Sequence, residues 1–365
     1  MGVLKDCSGI FFNNPIHPIE SLKELDKSMN ILLTSVGRRV ELLKAFRQSM
    51  RRSNITGKIV TADLKKSAPA SFLADAAELA PRIDDPEYVE KLLDICDRHR
   101  IDLLIPLIDT ELYLLSLDRQ KFKDRGVTLL VSSVRTNEIC YSKKATAIFF
   151  KQIGVKTPKV YDLSQTEDLI FPLIVKPNTG SSSVGLHYVR DRTELVFFSN
   201  YVKDAIVQEL IEGDEYTIDI LVDFKGNVIS IVPRLRLETR AGEVSKGITT
   251  KNPALIAAAK YVVESLPGAI GCITIQCFLQ PNGEIVFIEI NPRFGGGYPL
   301  SYRAGADFPS WIVESYLGHN PKVAIDDWED NLAMLRYDDA IFVKAHEISL
   351  SSPSREQAIY QSSRS

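Results

Sequence analysis

The pattern of hydrophobic positions from Asn30 to Ser133 alternates between two kinds of segment. Short apolar runs bounded by polar residues predict strands at Asn30–Ser35, Lys58–Asp63, Asp102–Leu107 and Thr128–Ser133. Helical spacing fills the intervals, as at Val89, Leu92, Leu93 and Cys96. Strands separated by helices favour right-handed crossovers, so this part of the chain is predicted to form an open parallel α/β sheet.

After Ser133 the pattern changes to strands joined by turns. A helix is predicted near Ser142–Ile153, ending at Gly154. Strand-like runs follow at Leu173–Lys176, Leu186–Arg190, Ile206–Leu210, Tyr216–Asp223, Val228–Pro233, Ile273–Leu279 and Glu284–Ile290, with one helix at Pro253–Leu266. Strands in hairpins with few helices predict an antiparallel α+β region.

The two ends of the chain differ from this pattern. Residues 1–28 are polar and lack the basic start and long apolar stretch of a signal peptide, so we interpret them as an N-terminal extension. Residues 351–365 contain six serines and are predicted to be a disordered tail. The α/β domain is placed at 29–133 and the remaining fold at 134–350.

Composition narrows the class of protein. The 365 residues carry 44 basic and 47 acidic side chains, a net charge of −3, which argues against nucleic acid as the main partner. Apolar stretches are too short to span a membrane, and the five scattered cysteines and five scattered histidines argue against disulfides and a zinc site. We therefore expect a cytoplasmic protein without nucleic-acid or membrane partners.

The sequence EINPR at Glu289–Arg293 ends a predicted strand and precedes three glycines. Strand alternation places Glu289, Asn291 and Arg293 on one face. A carboxylate and an amide oxygen suit Mg2+, and an arginine beside them suits a phosphoryl group. The alternative, an ordinary half-solvated edge strand, does not explain the proline and glycines that follow.

A second group of residues suits phosphate. A strand delivers Lys176, and the loop GSSSVG at Gly180–Gly185 follows within four residues. Such loops expose backbone N–H groups and hydroxyls to phosphate oxygens. The loop lacks the spacing of a P-loop, so a flexible hairpin tip is the alternative.

Taken in order with Lys143, Glu209, Glu215 and Gln276, these motifs resemble those of the ATP-grasp superfamily. The chain is most similar to one synthetase half of the large subunit of carbamoyl-phosphate synthase and its stand-alone relatives. The resemblance covers roughly residues 29–320. It implies a pre-ATP-grasp α/β domain at 29–133, a lid subdomain at 134–208 and a central subdomain at 209–350.

The resemblance also implies residue roles. Lys143 and Lys176 match the nucleotide lysines, although Ser142 stands where many relatives have Asp, which leaves Lys144 as an alternative to Lys143. The loop Gly180, Ser181, Ser182, Ser183 and Gly185 would cover the triphosphate. Glu209, Leu210 and Ile211 match the adenine hinge, and Glu215 the ribose ligand. Gln276, Glu289 and Asn291 match ligands of two Mg2+ ions, with Mn2+ as an alternative, and Arg293 matches the arginine near the transferred phosphate.

Substrate residues are predicted from position alone. Gly37 and Arg38 follow the first strand, and Asp109 and Glu111 follow a later one, where open α/β sheets bind ligands. Asp109 as a simple helix cap is the alternative. Arg234, Arg236, Arg240 and Lys246 are candidates to hold a carboxylate or acyl phosphate, with Lys246 in a catalytic role, or else form a solvated basic strand face. Tyr298 and Arg303 are candidates for acceptor contact.

The reaction implied is ATP-dependent ligation of a small-molecule carboxylate and amine through an acyl phosphate, with release of ADP and phosphate. Carbamoyl-phosphate-synthase-like phosphorylation of bicarbonate or carbamate, and a non-catalytic ATP-binding protein, are the alternatives. The first domain lacks the G-x-G-x-x-G motif, which argues against a dehydrogenase. The sequence does not decide between a monomer and a homodimer.

Overall fold

The computed structural model describes residues 28–162, 169–180, 184–240 and 242–348. The predicted tail at 351–365, nearly all of the predicted extension and the loop residues Ser181, Ser182 and Ser183 lie outside these ranges. Within them, no helix is long and apolar enough to cross a bilayer.

The first part of the chain forms the expected parallel sheet. Its strands are β1 Ile31–Thr34, β2 Ile59–Asp63, β3 Ala76–Leu79, β4 Leu103–Pro106 and β5 Thr128–Leu129. They stand in the order β3-β2-β1-β4-β5, all parallel. The helices are α1 Val40–Arg52, α2 Tyr88–His99, α3 Asp109–Leu117 and α4 Arg119–Lys123. The predicted α/β class is confirmed, and β3 was missed because its sequence AAEL has only two residues on each face.

A small antiparallel sheet follows. Two helices lead to it, α5 Val134–Tyr141 and α6 Lys143–Gln152. Its strands are β6 Val160–Tyr161, β7 Leu173–Pro177, β8 His187–Val189 and β9 Ala205–Glu209, with helix α7 at Arg192–Tyr201. The order is β6-β9-β7-β8. As predicted, helix α6 ends before Gly154, which takes φ +75°, a conformation that suits glycine.

The largest sheet contains six described strands in the order β14-β13-β10-β11-β12-β15. They are β10 Asp214–Val222, β11 Val228–Arg240, β12 Glu243–Thr249, β13 Gly271–Leu279, β14 Ile285–Asn291 and β15 Ala333–Leu335. The remaining helices are α8 Pro253–Glu264, α9 Tyr298–Arg303 and α10 Phe308–Tyr316. Strand β11 extends seven residues past the predicted end at Pro233. Its pairing with β12 starts at Arg234, so Pro233 lies where that ladder ends and a missing N–H is tolerated.

Strand alternation gives this sheet two different faces. Ile218, Ile220, Ile273 and Ile275 are completely buried and pack in one cluster with helices α6 and α8. Burial of such side chains stabilises the fold by roughly 2 kcal/mol each. The residues that alternate with these isoleucines therefore point to the opposite face of the sheet, and they are polar.

A separate core joins the first sheet to the large one. Phe46 of α1 packs edge-on against Phe294, just after β14, with ring centroids 5.9 Å apart. Phe308 and Ile312 of α10 belong to the same buried cluster as Leu43 of α1. The first sheet and the large sheet are therefore packed against each other, with a cleft between them.

Candidate active site

A row of polar side chains crosses the inner face of the large sheet. Glu289 of β14 pairs with Gln276 of β13, Gln276 with Thr217 of β10, Thr217 with Arg234 of β11, and Arg234 with Thr249 of β12. Cross-strand partners share a face, so the register alone brings these side chains together. Asn291 and Thr274 form the next pair along β14 and β13.

Arg293 follows the end of β14 and is held from the other side of the cleft. Its Nη2 and Nε donate to Asp109 Oδ2 at 2.7 and 3.2 Å, and Asp109 begins helix α3. Only 12% of the Arg293 side chain is exposed. Burial acts to lower the pKa of Arg293, but the Asp109 and Glu289 carboxylates outweigh it and raise that pKa. Arg293 is therefore a fixed cation beside Glu289.

The loops that follow β1 and β4 form the opposite rim. These strands are neighbours in the sheet, and the chain continues from β1 to one side of the sheet and from β4 to the other. Ligands of open α/β sheets usually bind at such a point. The loop after β1 is held by Gly37, whose N–H donates to Asp63 at 2.9 Å. Arg39, rather than the predicted Arg38, lines the cleft. Arg38 projects into solvent, with its side chain 75% exposed.

Arginines 234 and 236 are buried rather than part of a solvated strand face. Arg234 is 1% exposed and donates from Nε and Nη2 to Asp219 at 2.8 and 3.0 Å. Arg236 donates from Nη1 to Glu215 at 2.5 Å. Burial raises the pKa of Glu215. The negative charge of Glu289 raises that pKa further, whereas the positive charge of Arg236 acts to lower it. Both arginines line the cleft.

Lys246 does not fit its predicted catalytic role. Gly247 pairs with Arg236, so Gly247 shares the cleft face and its neighbour Lys246 projects to the opposite face. There Lys246 is half-exposed and pairs with Glu238 at 2.7 Å. Arg240 is also off the cleft, since it is exposed and pairs with Asp338.

Lys143 and Lys176 come together at the end of the small sheet. Asn178, just beyond β7, accepts at Oδ1 from Ser142 Oγ and from the Lys144 N–H, and its carbonyl accepts from the Lys143 N–H at 2.9 Å. This ties the start of α6 to the end of β7. Lys143 Nζ then donates to the Gly180 carbonyl at 2.8 Å, whereas the Lys144 side chain is exposed.

The electrostatics of Lys176 distinguish it from a surface lysine. Burial lowers its pKa to about 8, with Lys143 contributing and Glu289 opposing. A buried ammonium between a second lysine and a carboxylate is a group prepared for an anionic ligand. Lys176 therefore lies within electrostatic reach of the metal candidates.

The hinge candidates link the two antiparallel sheets. Glu209 ends β9, its Oε2 accepts from the Lys159 N–H at 3.1 Å, and its side chain is exposed. Leu210 and Ile211 are half-buried in the connection to β10. Glu215 follows on β10. Gly185 takes φ +73° with its α-carbon facing Pro177, which brings the end of the loop back over β7.

The inner face of the large sheet and the rim of the N-terminal sheet enclose a cleft of about 210 Å³, which Lys143, Lys176 and the hinge candidates do not line. Its polar lining comes from both parts of the chain and comprises Arg39, Asp109, Thr217, Arg234, Arg236, Glu243, Thr274, Gln276, Glu289, Asn291 and Arg293. Three glycines, Gly295–Gly297, complete the wall. A Cβ on Gly297 would lie 2.2 Å from Arg234 Nη1, so glycine is required for that close approach.

The candidate metal ligands suit Mg2+ bound with a nucleotide. No cluster of three His, Cys, Asp or Glu residues able to hold a metal occurs among the described residues. Glu289 and Asn291 nevertheless line the cleft, and no described residue donates a hydrogen bond to the Glu289 carboxylate or the Asn291 side chain. Mg2+ commonly takes one or two carboxylates and completes its shell with phosphate oxygens and water, so this donor set fits it.

Three further predicted substrate residues lie away from the cleft surface. Glu111 is completely buried and accepts from the Leu107 N–H and, at 2.5 Å, from the Tyr88 hydroxyl. It closes the first turn of α3 rather than facing a ligand. Arg303 is 73% exposed and only 3.9 Å from Glu41. Tyr298 is buried, with its hydroxyl donating to the Ala306 carbonyl.

The sequence analysis did not predict two charged residues of the cleft, Glu243 and Arg39. Glu243 is the first residue of β12, and its place in the cleft was not predictable because β12 itself was not predicted. Arg39 stands directly after the predicted residues Gly37 and Arg38 in the sequence VGRR, and it was not among the predicted site residues. The signal that distinguishes it from Arg38 is its place directly before the apolar face of α1, which turns it inward.

The fold and the cleft define an ATP-grasp protein, and comparison with known proteins agrees. Residues 31–130 match the PylC-like N-terminal domain family, and residues 140–297 match an ATP-grasp domain family. The biotin carboxylase domain of Hydrogenobacter thermophilus 2-oxoglutarate carboxylase has the same fold, with a TM-score of 0.68 at 18% identity over 83% of this chain and 73% of that one. The predicted superfamily is confirmed.

Curated proteins of known activity are also similar to the chain. The chain is 25% identical to formate-dependent phosphoribosylglycinamide formyltransferase of Bacteroides fragilis over 72% of this chain and 70% of that protein. It is 28% identical to D-alanine–D-alanine ligase A of Bacillus cereus over 42% of this chain and 58% of that ligase. These homologues are ATP-grasp carboxylate–amine ligases, a group of enzymes that use ATP and Mg2+.

Proposed function

We propose that this chain phosphorylates a substrate carboxylate with ATP and joins the resulting acyl group to an amine. The observation that carries the proposal is the convergence of Glu289, Asn291 and Arg293 on one wall of a cleft, with Lys176 within electrostatic reach. Phosphoryl transfer requires mainly positioning and charge neutralisation from a protein, and these residues supply both.

Each side chain has a definite task in this proposal. Lys143 and Lys176 hold the nucleotide phosphates, and the segment from Glu209 to Glu215 holds adenine and ribose. Glu289, Asn291 and Gln276 would hold two Mg2+ ions, or Mn2+, and the bound metal neutralises phosphate charge. Arg293, held in place by Asp109, stabilises the charge of the phosphoryl group during its transfer.

The second half of the reaction needs an open path to the acyl phosphate. The carbonyl of the acyl phosphate is attacked by the amine nitrogen, a C–N bond forms, and the C–O bond to phosphate breaks. In this proposal the acceptor amine approaches the acyl phosphate along the rim formed by the loops after β1 and β4, which contributes to the lining of the cleft.

A panel of carboxylic acids and amines, including bicarbonate and ammonia, tests this function. ADP release and product mass are recorded for the full chain. We expect ADP release that needs both an acid and an amine, with a product heavier than the acid by the amine minus water. Equal ATPase rates across the panel contradict ligation, and ADP release with bicarbonate alone supports the carbamoyl-phosphate-like alternative.

A matched pair of variants locates the chemistry. Glu289→Gln keeps the shape of the side chain and removes its charge, and we expect amine-dependent ADP release to fall by about 10²-fold or more while ADP binding without metal is retained. Glu284→Gln changes a half-exposed carboxylate just before the same strand, whose ion-pair partner among the described residues is Lys156. Its rate should stay within about twofold. Equal losses in the two variants would contradict the placement.

A further inference from the structure

Arg39 is a cation without an adequate partner. It stands between β1 and α1 and lines the cleft, with 19% of its side chain exposed. Among described residues, its guanidinium makes one ion pair, to Glu243 at 3.9 Å, and no hydrogen bond. A guanidinium has five N–H donors, and withdrawing it from water without satisfying them is unfavourable. The missing acceptors are therefore expected from a ligand.

The surroundings of Glu243 show a local excess of positive charge. Three guanidiniums approach this one carboxylate, from Arg39 at 3.9 Å, Arg38 at 3.6 Å and Arg336 at 3.1 Å. They lower the pKa of Glu243 although burial acts to raise it. One carboxylate neutralises one of the three, which leaves two positive charges uncompensated at this point of the rim.

The local excess of positive charge also acts on the Arg39 side chain. Burial, with the nearby Arg293 second, lowers the pKa of Arg39 to about 10, although the Glu243 and Asp109 carboxylates act to raise it. Arg293 is already neutralised by Asp109, at 2.7 Å. The unmatched charge therefore belongs to Arg39 rather than to the arginine assigned to the phosphoryl group.

A second unsatisfied donor lines the same cleft. Arg234 is 1% exposed, and its Nη1 has no hydrogen-bond partner among the residues that the structure describes, although Nε and Nη2 are both paired with Asp219. The buried donor is held in place because Ser301 Oγ donates to the same Asp219 at 2.6 Å. A rigid donor of this kind loses little entropy when it binds a ligand.

We propose that Arg39, with Arg234 Nη1, binds an anionic group that a substrate carries in addition to its reacting group. The group is a carboxylate or phosphate that the reaction leaves unchanged. This rests on the proposed function, in which Lys143, Lys176 and Arg293 already account for the nucleotide and the transferred phosphoryl group. The chain therefore selects an acid or an amine with a second negative charge, such as an amino acid over the corresponding simple amine.

Direct anion binding tests the site without any assumption about turnover. Binding of inorganic phosphate and of acetate to the full chain loaded with ADP is measured by calorimetry for wild type, Arg39→Gln, Arg39→Lys and Arg38→Gln. We expect Arg39→Gln to weaken binding of at least one anion by fivefold or more, and Arg39→Lys to restore part of the loss. Arg38→Gln, at an exposed arginine on the same carboxylate, should change binding by less than twofold. Equal effects at Arg38 and Arg39 overturn the proposal.

The substrate panel then identifies the source of the charge. Each acid and each amine is offered with and without a second anionic group, for example an α-amino acid, its decarboxylated amine, and an aminoalkyl phosphate. We expect a preference of tenfold or more in kcat/KM for a charged member, lost in Arg39→Gln through KM with the KM for ATP unchanged. Equal use of charged and uncharged members overturns the proposal.

The two proposals fail separately. If no acid and amine pair releases ADP, the ligase function fails, while the anion-binding comparison still decides whether Arg39 forms a site. If pairs turn over but Arg39→Gln leaves every KM unchanged and anion binding intact, ligation stands and the anion site is rejected.

Discussion

Arg293 and Asp109 are joined by two hydrogen bonds to one carboxylate oxygen, at 2.7 and 3.2 Å, although 184 residues separate them. The pair connects the end of strand β14 to the start of helix α3, and so connects the large antiparallel sheet to the N-terminal parallel sheet. Asp109 Oδ1 is buried and accepts no hydrogen bond from the described part of the chain. The N-terminal domain thus positions the arginine assigned to the phosphoryl group.

Asp109→Asn is expected to weaken this connection in two measurable ways. The variant leaves the buried Arg293 charge without its counterion, so the free energy of unfolding should fall by about 1–3 kcal/mol. Displacement of Arg293 should also lower kcat by about 10²-fold. Chemical denaturation and ADP release measure the two effects.

Asp84→Asn is the matched control, because Asp84 pairs with Arg82 where both side chains are about 70% exposed. Its stability should change by less than about 0.5 kcal/mol. An Asp109→Asn protein with wild-type kcat would show that Arg293 does not depend on the N-terminal domain.

The placement of Lys143 gives a second prediction. Its Nζ reaches the Gly180 carbonyl at 2.8 Å, beside the lysine of β7, while Lys144 points into solvent from the next position of α6. Lys143→Ala should weaken ATP binding by about tenfold or more, the loss expected for a hydrogen bond to a charged group. Lys144→Ala should leave binding within about twofold. Calorimetric titration with ATP measures both, and a larger loss at Lys144 would reverse the assignment.

The residues on β14 and the lysines were predictable from the sequence because their positions follow from local rules. Alternation along one strand places Glu289 and Asn291 on one face, and a strand followed by a glycine-rich loop delivers Lys176. The ladder that brings Glu289, Gln276, Thr217 and Arg234 into one row was not predictable in this way. Register between distant strands depends on bulges and turns that no local pattern encodes.

The incorrect predictions have the same origin. Lys246 was treated as part of a basic stretch with Arg234, but β12 was not predicted, and alternation along β12 puts Lys246 on the face opposite to Gly247, the partner of Arg236. Glu111 was treated as a rim residue because it follows a strand end, and tertiary burial by Tyr88 overrode that position. Which of two adjacent arginines turns inward, Arg38 or Arg39, depended on how α1 packs.

The depressed pKa of Lys176 predicts pH-dependent nucleotide binding. Burial first, and Lys143 second, lower that pKa to about 8, so the ammonium loses its proton as the pH rises through 8. If only the charged form holds the phosphates, the Kd for ADP measured without metal should rise by about tenfold between pH 6.5 and pH 9. Lys176→Arg should remove most of this dependence, because arginine stays charged over the range.

Lys176→Met provides the complementary control. It removes the charge at every pH, so its Kd for ADP should be weak at pH 6.5 and change little up to pH 9. A wild-type protein whose Kd is constant over this range would contradict the assignment of Lys176 to the phosphates.

Glu111 predicts a pH dependence of stability that is independent of ligand. Burial raises the pKa of this carboxyl above its value in the unfolded chain, although hydrogen bonds from Tyr88, Thr34 and the backbone oppose the shift. The folded state therefore binds the proton more tightly, so the contribution is fully present below the unfolded pKa near 4.5 and is lost as the pH rises through the folded value. Glu111→Gln cannot ionise, so urea denaturation should show the variant gaining stability relative to wild type between pH 5 and pH 8. A constant difference across that range would mean that Glu111 titrates alike in both states.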